Sequence, residues 1–284
     1  MNEEGAVMQG ARPVVLTVAG FDPSSGAGVT ADLKVFAAHR LYGVAAITAL
    51  TVQSTQGVRW MEPVEAGLLG ETLACLAEDV TVAGVKIGML GTRANVGVVA
   101  EFLRTAGVAR ERVVLDPVVR SSSGRDLLTS DGVEALRAEL LPQVGWVTPN
   151  LAELRVLTGV VMEGREAVLE GAWRLADRVG ALGNAELHVV VTGGHLEPPD
   201  DFLRTAEGEE LWFAGRRVET TATHGTGCSF SSALLCRLVM GDGPAEAVTE
   251  AKRYVREAME AAYLVGRGHG PLHHLYGLER KAGE

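Results

Sequence analysis

Short apolar runs, rich in β-branched residues, alternate along the chain with longer stretches in which apolar positions recur every three or four residues. Residues 14–19, 44–50, 85–87, 113–115, 146–148 and 188–192 form the first set. They are nearly continuous in apolar character, which is the pattern of strands covered on both faces. Helical spacing covers residues 29–39, 66–76, 95–106, 132–140, 151–157, 166–182, 230–239 and 244–264. Strand and helix in strict alternation predict an α/β fold, a mostly parallel central sheet between two layers of helices. Residues 202–213 depart from the rule. There the runs FLRT and LWFA enclose AEGEE, which predicts a small antiparallel hairpin late in the fold. No repeat or linker divides the chain, so residues 1–284 are read as one domain, with 1–13 as a flexible extension and 266–284 as a Gly/His-rich tail.

In an open parallel sheet, ligands sit beyond the carboxyl ends of the strands. The polar residues that interrupt the apolar pattern fall there: Gly20 to Gly28, Gln53, Gly88 with Met89, Asp116 with Pro117, Asn150, and Gly193 with Gly194. Six successive strand ends thus point at one crevice.

Composition narrows what that crevice serves. A net charge of -10 sets the chain against a phosphate backbone, so nucleic acid is excluded as a partner. Cys75, Cys228 and Cys236 show no CxxC spacing and no disulfide framework, which places the protein in a reducing compartment, the cytoplasm. The acidic N-terminus and apolar stretches of about ten residues imply no membrane. There is no GxxxxGK[ST], GxSxG, HExxH or GxGxxG, so hydrolase and dehydrogenase readings lose their support.

What remains is a constellation suited to phosphate. His224-Gly225-Thr226-Gly227-Cys228 opens a helix, where backbone amides and the positive helix end make an anion hole. An ordinary glycine turn capped by Thr226 or Ser229 would have the same sequence. The thiol changes the balance, because a helix N-terminus lowers a thiol pKa and Cys228 would then take a proton from an alcohol. Cys75 and Cys236 read as small core residues. Asn150 and Glu153 form N-x-x-E, either a capping box or a carboxylate reaching magnesium through water. Asp116 divides between a magnesium role and strand-end polarity. The Gln53 amide pairs a donor with an acceptor, as an aminopyrimidine edge requires, and Met89 offers a thioether to a ring. Asp32, near a helix start, complements the macrodipole.

The segments AGFDPSSGAGVTADLK, ITALTVQSTQGV, VKIGMLGT, LDPVVRSSSG, VTPNLAEL, VTGGH and THGTGCSFSSAL, in this order, resemble the hydroxymethylpyrimidine/phosphomethylpyrimidine kinases of thiamine biosynthesis, in the ribokinase-like superfamily. The resemblance runs from Val14 to His274. It implies a three-layer ribokinase-like sandwich using ATP and Mg2+, usually dimeric, which phosphorylates a pyrimidine alcohol and then its monophosphate. It implies a ring pocket of Gly20, Asp32, Gln53, Met89 and Val118, with Gly225, Thr226, Gly227 and Cys228 as anion hole and base. Asn150, Thr192 and Gly194 would meet the nucleotide, and Glu153 and Asp116 the metal. Thr192 stands where many members carry lysine, and Ser25 where glycine is commoner. Pyridoxine or pyridoxal kinase, acting on a similar hydroxymethylated ring, is the alternative, and a nucleotide-binding regulator without turnover is a more distant one.

Overall fold

A computed structural model describes residues 12–121 and 123–280. The extension expected at 1–13 therefore lies almost wholly outside the described residues. Nine strands form one sheet: β1 (Val14–Phe21), β2 (Tyr42–Ser54), β3 (Gly57–Pro63), β4 (Val82–Ile87), β5 (Val113–Leu115), β6 (Trp146–Val147), β7 (His188–Val191), β8 (Asp201–Arg204) and β9 (Glu210–Phe213). Their order is β3-β2-β1-β4-β5-β6-β7-β8-β9. The neighbours from β2 through β7 are parallel, while β3, β8 and β9 join antiparallel at the two edges.

Side chains of a strand point alternately to its two faces. Here the alternation separates two cores. Leu16, Val18, Val113, Leu115 and Val147 pack with Leu69 and Leu73 of α2 (Ala66–Asp79), with Val96 and Val99 of α3 (Arg93–Thr105), with Leu154 of the helix Leu151–Thr158, and with Val168 and Leu175 of the helix Gly164–Ala181. Their chain neighbours Val15, Val114 and Trp146 face the opposite way, onto α1 (Gly28–Ala38), α7 (Thr226–Met240) and α8 (Pro244–Glu260). Between α3 and β6 lies α4 (Ser130–Ala135), and the two helices after β6 are α5 (Leu151–Thr158) and α6 (Gly164–Ala181). The three layers expected from the alternating pattern are all present.

Three expectations are corrected. First, β2 runs on to Ser54 and turns back as β3, so the late hairpin is not the only antiparallel element. This arm projects beyond the core, with Trp60 57% exposed, and so lacks the one-sided burial that marks a strand in sequence. Second, the helix expected at 132–140 is helical, but residues 136–140 widen to π geometry. Third, α8 stops at Glu260 rather than running to 264, where Leu264 is 79% exposed and Tyr263 turns its ring edge-on to His273 of the tail. The tail is docked as far as His274. The His273 amide donates to the Ala258 carbonyl (3.0 Å), and the Tyr254 hydroxyl donates to the His274 carbonyl (2.8 Å). The described residues end with a short helix, α9 (Tyr276–Arg280). No helix among the described residues is long and apolar enough to cross a membrane.

Candidate active site

Beyond the carboxyl ends of the parallel strands lies a cavity of about 1980 Å³. Single small-ligand sites run to about 1,000 Å³, so this one has room for two reactants together. Gly20, Gln53, Met89, Val118, Asp116, Asn150, Glu153, Thr192, Gly194 and Gly225 to Cys228 all line it. Residues far apart in sequence thus meet because each ends a neighbouring strand or begins the next helix.

Asp32 is the exception. It lies beneath the cavity floor, fully buried, and accepts hydrogen bonds from Thr17 Oγ1 (2.6 Å), Ser232 Oγ (2.8 Å) and Lys86 Nζ (3.1 Å). It stands past the first turn of α1, so the macrodipole reading is also replaced, by a buried ion pair. Lys86 was not anticipated. Burial opposes its charge, but Asp32, Cys228 and Asp116 outweigh that and raise its pKa above the ordinary lysine range.

The ring side of the cavity is apolar at its base. Ala49, Met89 and Leu127 form a small cluster with Val58, Met61 and Val118. A Cβ on Gly20 would fall 2.1 Å from the Met89 methyl, so glycine is what lets the thioether lie against the loop after β1. That loop then folds on its own carboxylate. Asp22 Oδ1 accepts from the Ser24 amide and hydroxyl, and Oδ2 from the amides of Gly26 and Ala27 and from His224 Nε2 (2.8 Å). Burial raises the Asp22 pKa, yet the bonds from His224 and Ser24 outweigh it and hold the carboxyl below the usual range.

Facing that loop is the start of α7. Its N-cap is Gly225, at φ 81°, with no side-chain cap, so neither Thr226 nor Ser229 caps the helix. A Cβ there would meet the Gly26 carbonyl at 1.8 Å, which makes glycine obligatory on two counts. The first-turn amides of Thr226, Gly227 and Cys228 have no partner within the helix and face the cavity wall, as an anion requires. The thiol does not behave as expected. Burial pushes the Cys228 thiol up to about 12, Lys86 opposes that, and Asp116 and Asp32 add to it. It is a neutral donor whose hydrogen bond goes to Asp116. Burial overrides the helix end. Cys236 is buried as predicted, but Cys75 is exposed, because α2 buries only Leu69 and Leu73.

Across the cavity, Asn150 and Glu153 do form a capping box. Asn150 Oδ1 accepts from the Glu153 amide and Glu153 Oε2 from the Asn150 amide, both at 2.9 Å. Burial, together with the charge of Asp116, pushes the Glu153 carboxyl up to about 8. Burial, and the charge of Asp32 against that of Lys86, likewise raises Asp116. Two carboxylates that repel each other on this cavity wall fit a cation that takes its remaining ligands from water and phosphate. No cluster of three or more His, Cys, Asp or Glu suited to a metal occurs among the described residues. Thr192 is bridged to Asn150, and Gly194 has open space beside it. Lys252 of α8 lines the same end, paired with Asp201 at 2.7 Å. It carries no motif, and sequence reasoning missed it, as it missed Lys86.

Sheet order, helix start and a single cavity with room for two reactants define a ribokinase-like small-molecule kinase. The family model for phosphomethylpyrimidine kinase matches residues 22–273. A hydroxymethylpyrimidine/phosphomethylpyrimidine kinase of Rhizobium meliloti is 40% identical over 266 residues, 93% of this chain and 97% of that protein. Among solved structures, the phosphomethylpyrimidine kinase of Clostridium difficile superposes with TM-score 0.73 at 31% identity, over 87% of this chain and 99% of that one. The pyridoxal kinase of Bacillus subtilis, solved as an ADP complex, superposes with TM-score 0.80 at 28% identity, over 93% and 97%. The chain belongs to the phosphomethylpyrimidine kinase family.

Proposed function

We propose that this enzyme transfers a phosphoryl group from ATP to the hydroxymethyl group of 4-amino-5-hydroxymethyl-2-methylpyrimidine, and then to the resulting monophosphate, for thiamine biosynthesis. The observation that carries the reading is one cavity joining the Gln53–Met89–Val118 pocket to the open start of α7. A ring held in that pocket presents its substituent to the amides of Thr226, Gly227 and Cys228. Those amides would hold the transferred oxygens, where alignment and charge neutralisation matter most for a loose transition state. Asn150, Thr192 and Gly194 would border the nucleotide. Glu153 and Asp116 would hold Mg2+, which when bound neutralises phosphate charge. A thiol neutral at rest makes the proton step late. As the acceptor oxygen bonds phosphorus its proton becomes acidic, and Cys228 receives it while its own proton passes to Asp116, which leaves Glu153 as the carboxylate that would hold Mg2+ at that point.

Pyridoxal is the second reading, favoured by the closer superposition on a pyridoxal kinase. Incubation with ATP, magnesium and each ring in turn, followed by product mass, tests both. Successive gains of one and two phosphates on the pyrimidine are expected, and phosphorylation of pyridoxal alone would overturn the assignment. Free thiols fit the cytoplasm. A homodimer would cover Leu50, Val52 and Trp60, all more than half exposed on the β2–β3 arm, and light scattering should read twice the chain mass.

A further inference from the structure

Gln53 does not stand free in the cavity. Its Nε2 lies 2.9 Å from His224 Nε2, and its Oε1 lies 3.3 Å from Thr51 Oγ1. The same His224 nitrogen is 2.8 Å from Asp22 Oδ2. A nitrogen facing a carboxylate at that distance carries its one hydrogen, which goes to Asp22 and is at most shared with the amide, so the nitrogen tolerates the amide oxygen beside it and cannot accept a hydrogen from the NH2 end. The Thr51 hydroxyl has one proton, and the Phe21 carbonyl at 2.9 Å takes it. Both neighbours therefore ask the opposite of the amide: an acceptor toward His224 and a donor toward Thr51. The two ends of a carboxamide have the same shape, and its partners decide which is which.

His224 is itself fixed from three sides. Asp22 holds its ring, and the ring lies so close to Gly26 that a Cβ there would meet Cδ2 at 2.3 Å. The His224 amide donates to the Gly270 carbonyl at 3.1 Å, and the same tail segment reaches Thr55, whose Oγ1 accepts from the amides of Arg267 and Gly268. One segment of the tail thus pins both the histidine and the end of the strand that carries Gln53.

We infer that His224 is the positioning residue that sets the hydrogen-bond polarity of Gln53, and through it the ring edge that the pocket accepts. With its carbonyl on His224 and one N–H on Thr51, the amide keeps one hydrogen and one lone pair for a ligand. Their order is fixed, and it matches a ring that sets an acceptor nitrogen beside an amino donor. This rests on the pyrimidine reading proposed above.

A double-mutant cycle tests it. His224→Phe keeps a ring against Gly26 without the N–H, and the KM for the pyrimidine alcohol should rise roughly five- to tenfold, with the KM for ATP within about twofold. His224→Gln, which restores an N–H, should recover part of the loss. In a Gln53→Leu background, His224→Phe should add less than about twofold. Equal factors in both backgrounds, or an equal rise in the KM for ATP, would overturn the inference. His224→Asn, shorter than the imidazole, serves if the phenylalanine does not fold, with the same shift expected. If the wild type turns over pyridoxal and not the pyrimidine, the functional reading fails by itself. The cycle is then run on pyridoxal, where lost coupling still overturns the role of His224.

Discussion

Two glycine-rich turns pack against each other at the candidate site, and they do opposite things with their amides. The turn after β1, Gly20 to Gly28, is closed: Asp22 takes the amides of Ser24, Gly26 and Ala27. The turn before α7, Gly225 to Cys228, has no carboxylate of its own and no side-chain cap, so its helix amides stay open. Glycine content predicts a tight backbone in both. Whether an anion can bind depends on whether an acidic side chain has already taken the donors. The closed turn serves as a wall, and its Gly26 carbonyl is the surface against which Gly225 packs.

The sharpest way to break this contrast is at the open turn. Cys228→Ala leaves every amide in place and removes only the proton path, so kcat should fall by about 10²–10⁴, with the KM for the pyrimidine within a few-fold. Near-wild-type kcat in steady-state assays would take the thiol out of the mechanism. Next in size is the closed turn. Asp22→Ala strands three amides and His224, and the lost charge-assisted bonds should cost about 2–3 kcal/mol in urea unfolding. An unchanged midpoint would show that the carboxylate is not what closes the loop.

A third test separates the two turns by pH. Asp22 titrates below its ordinary value, so the stability it gives is present above about pH 3.8 and is lost as pH falls. Glu153, across from the open turn, is raised to about 8. The folded protein holds that proton where the unfolded chain has lost it, so without nucleotide or metal the Tm should decline as pH rises from 4.5 toward 8. Glu153→Gln, which keeps the capping box, should flatten that decline and reduce magnesium-dependent turnover more than it lowers Tm at pH 6. A Tm loss with turnover intact at saturating magnesium would leave Glu153 only its cap.

Residues on the parallel strands and at their ends were legible because periodicity and topology place them independently of side-chain detail. Gln53, Met89, Asp116 and Asn150 reached one cavity on that logic alone. What escaped depends on partners distant in sequence. Lys86 sits inside an apolar strand and reads as a mistake until Asp32, fifty-four residues away, is found beside it. His224 meets Asp22 across 202 positions. The state of Cys228 was misjudged because a helix end is visible in sequence, whereas the depth of burial that overrides it is not. The arm β2–β3 was half seen, since a strand that leaves the core loses the one-sided pattern that announces it.

The cavity of about 1980 Å³ has a practical consequence, because no partition divides the ring pocket from the end lined by Thr192 and Lys252. A single inhibitor made by joining a pyrimidine to a nucleoside through a short polyphosphate tether would span it. Each half would raise the local concentration of the other to the millimolar range, given a tether of matching length. Selectivity over enzymes that handle only one of the two pieces would come from the join itself.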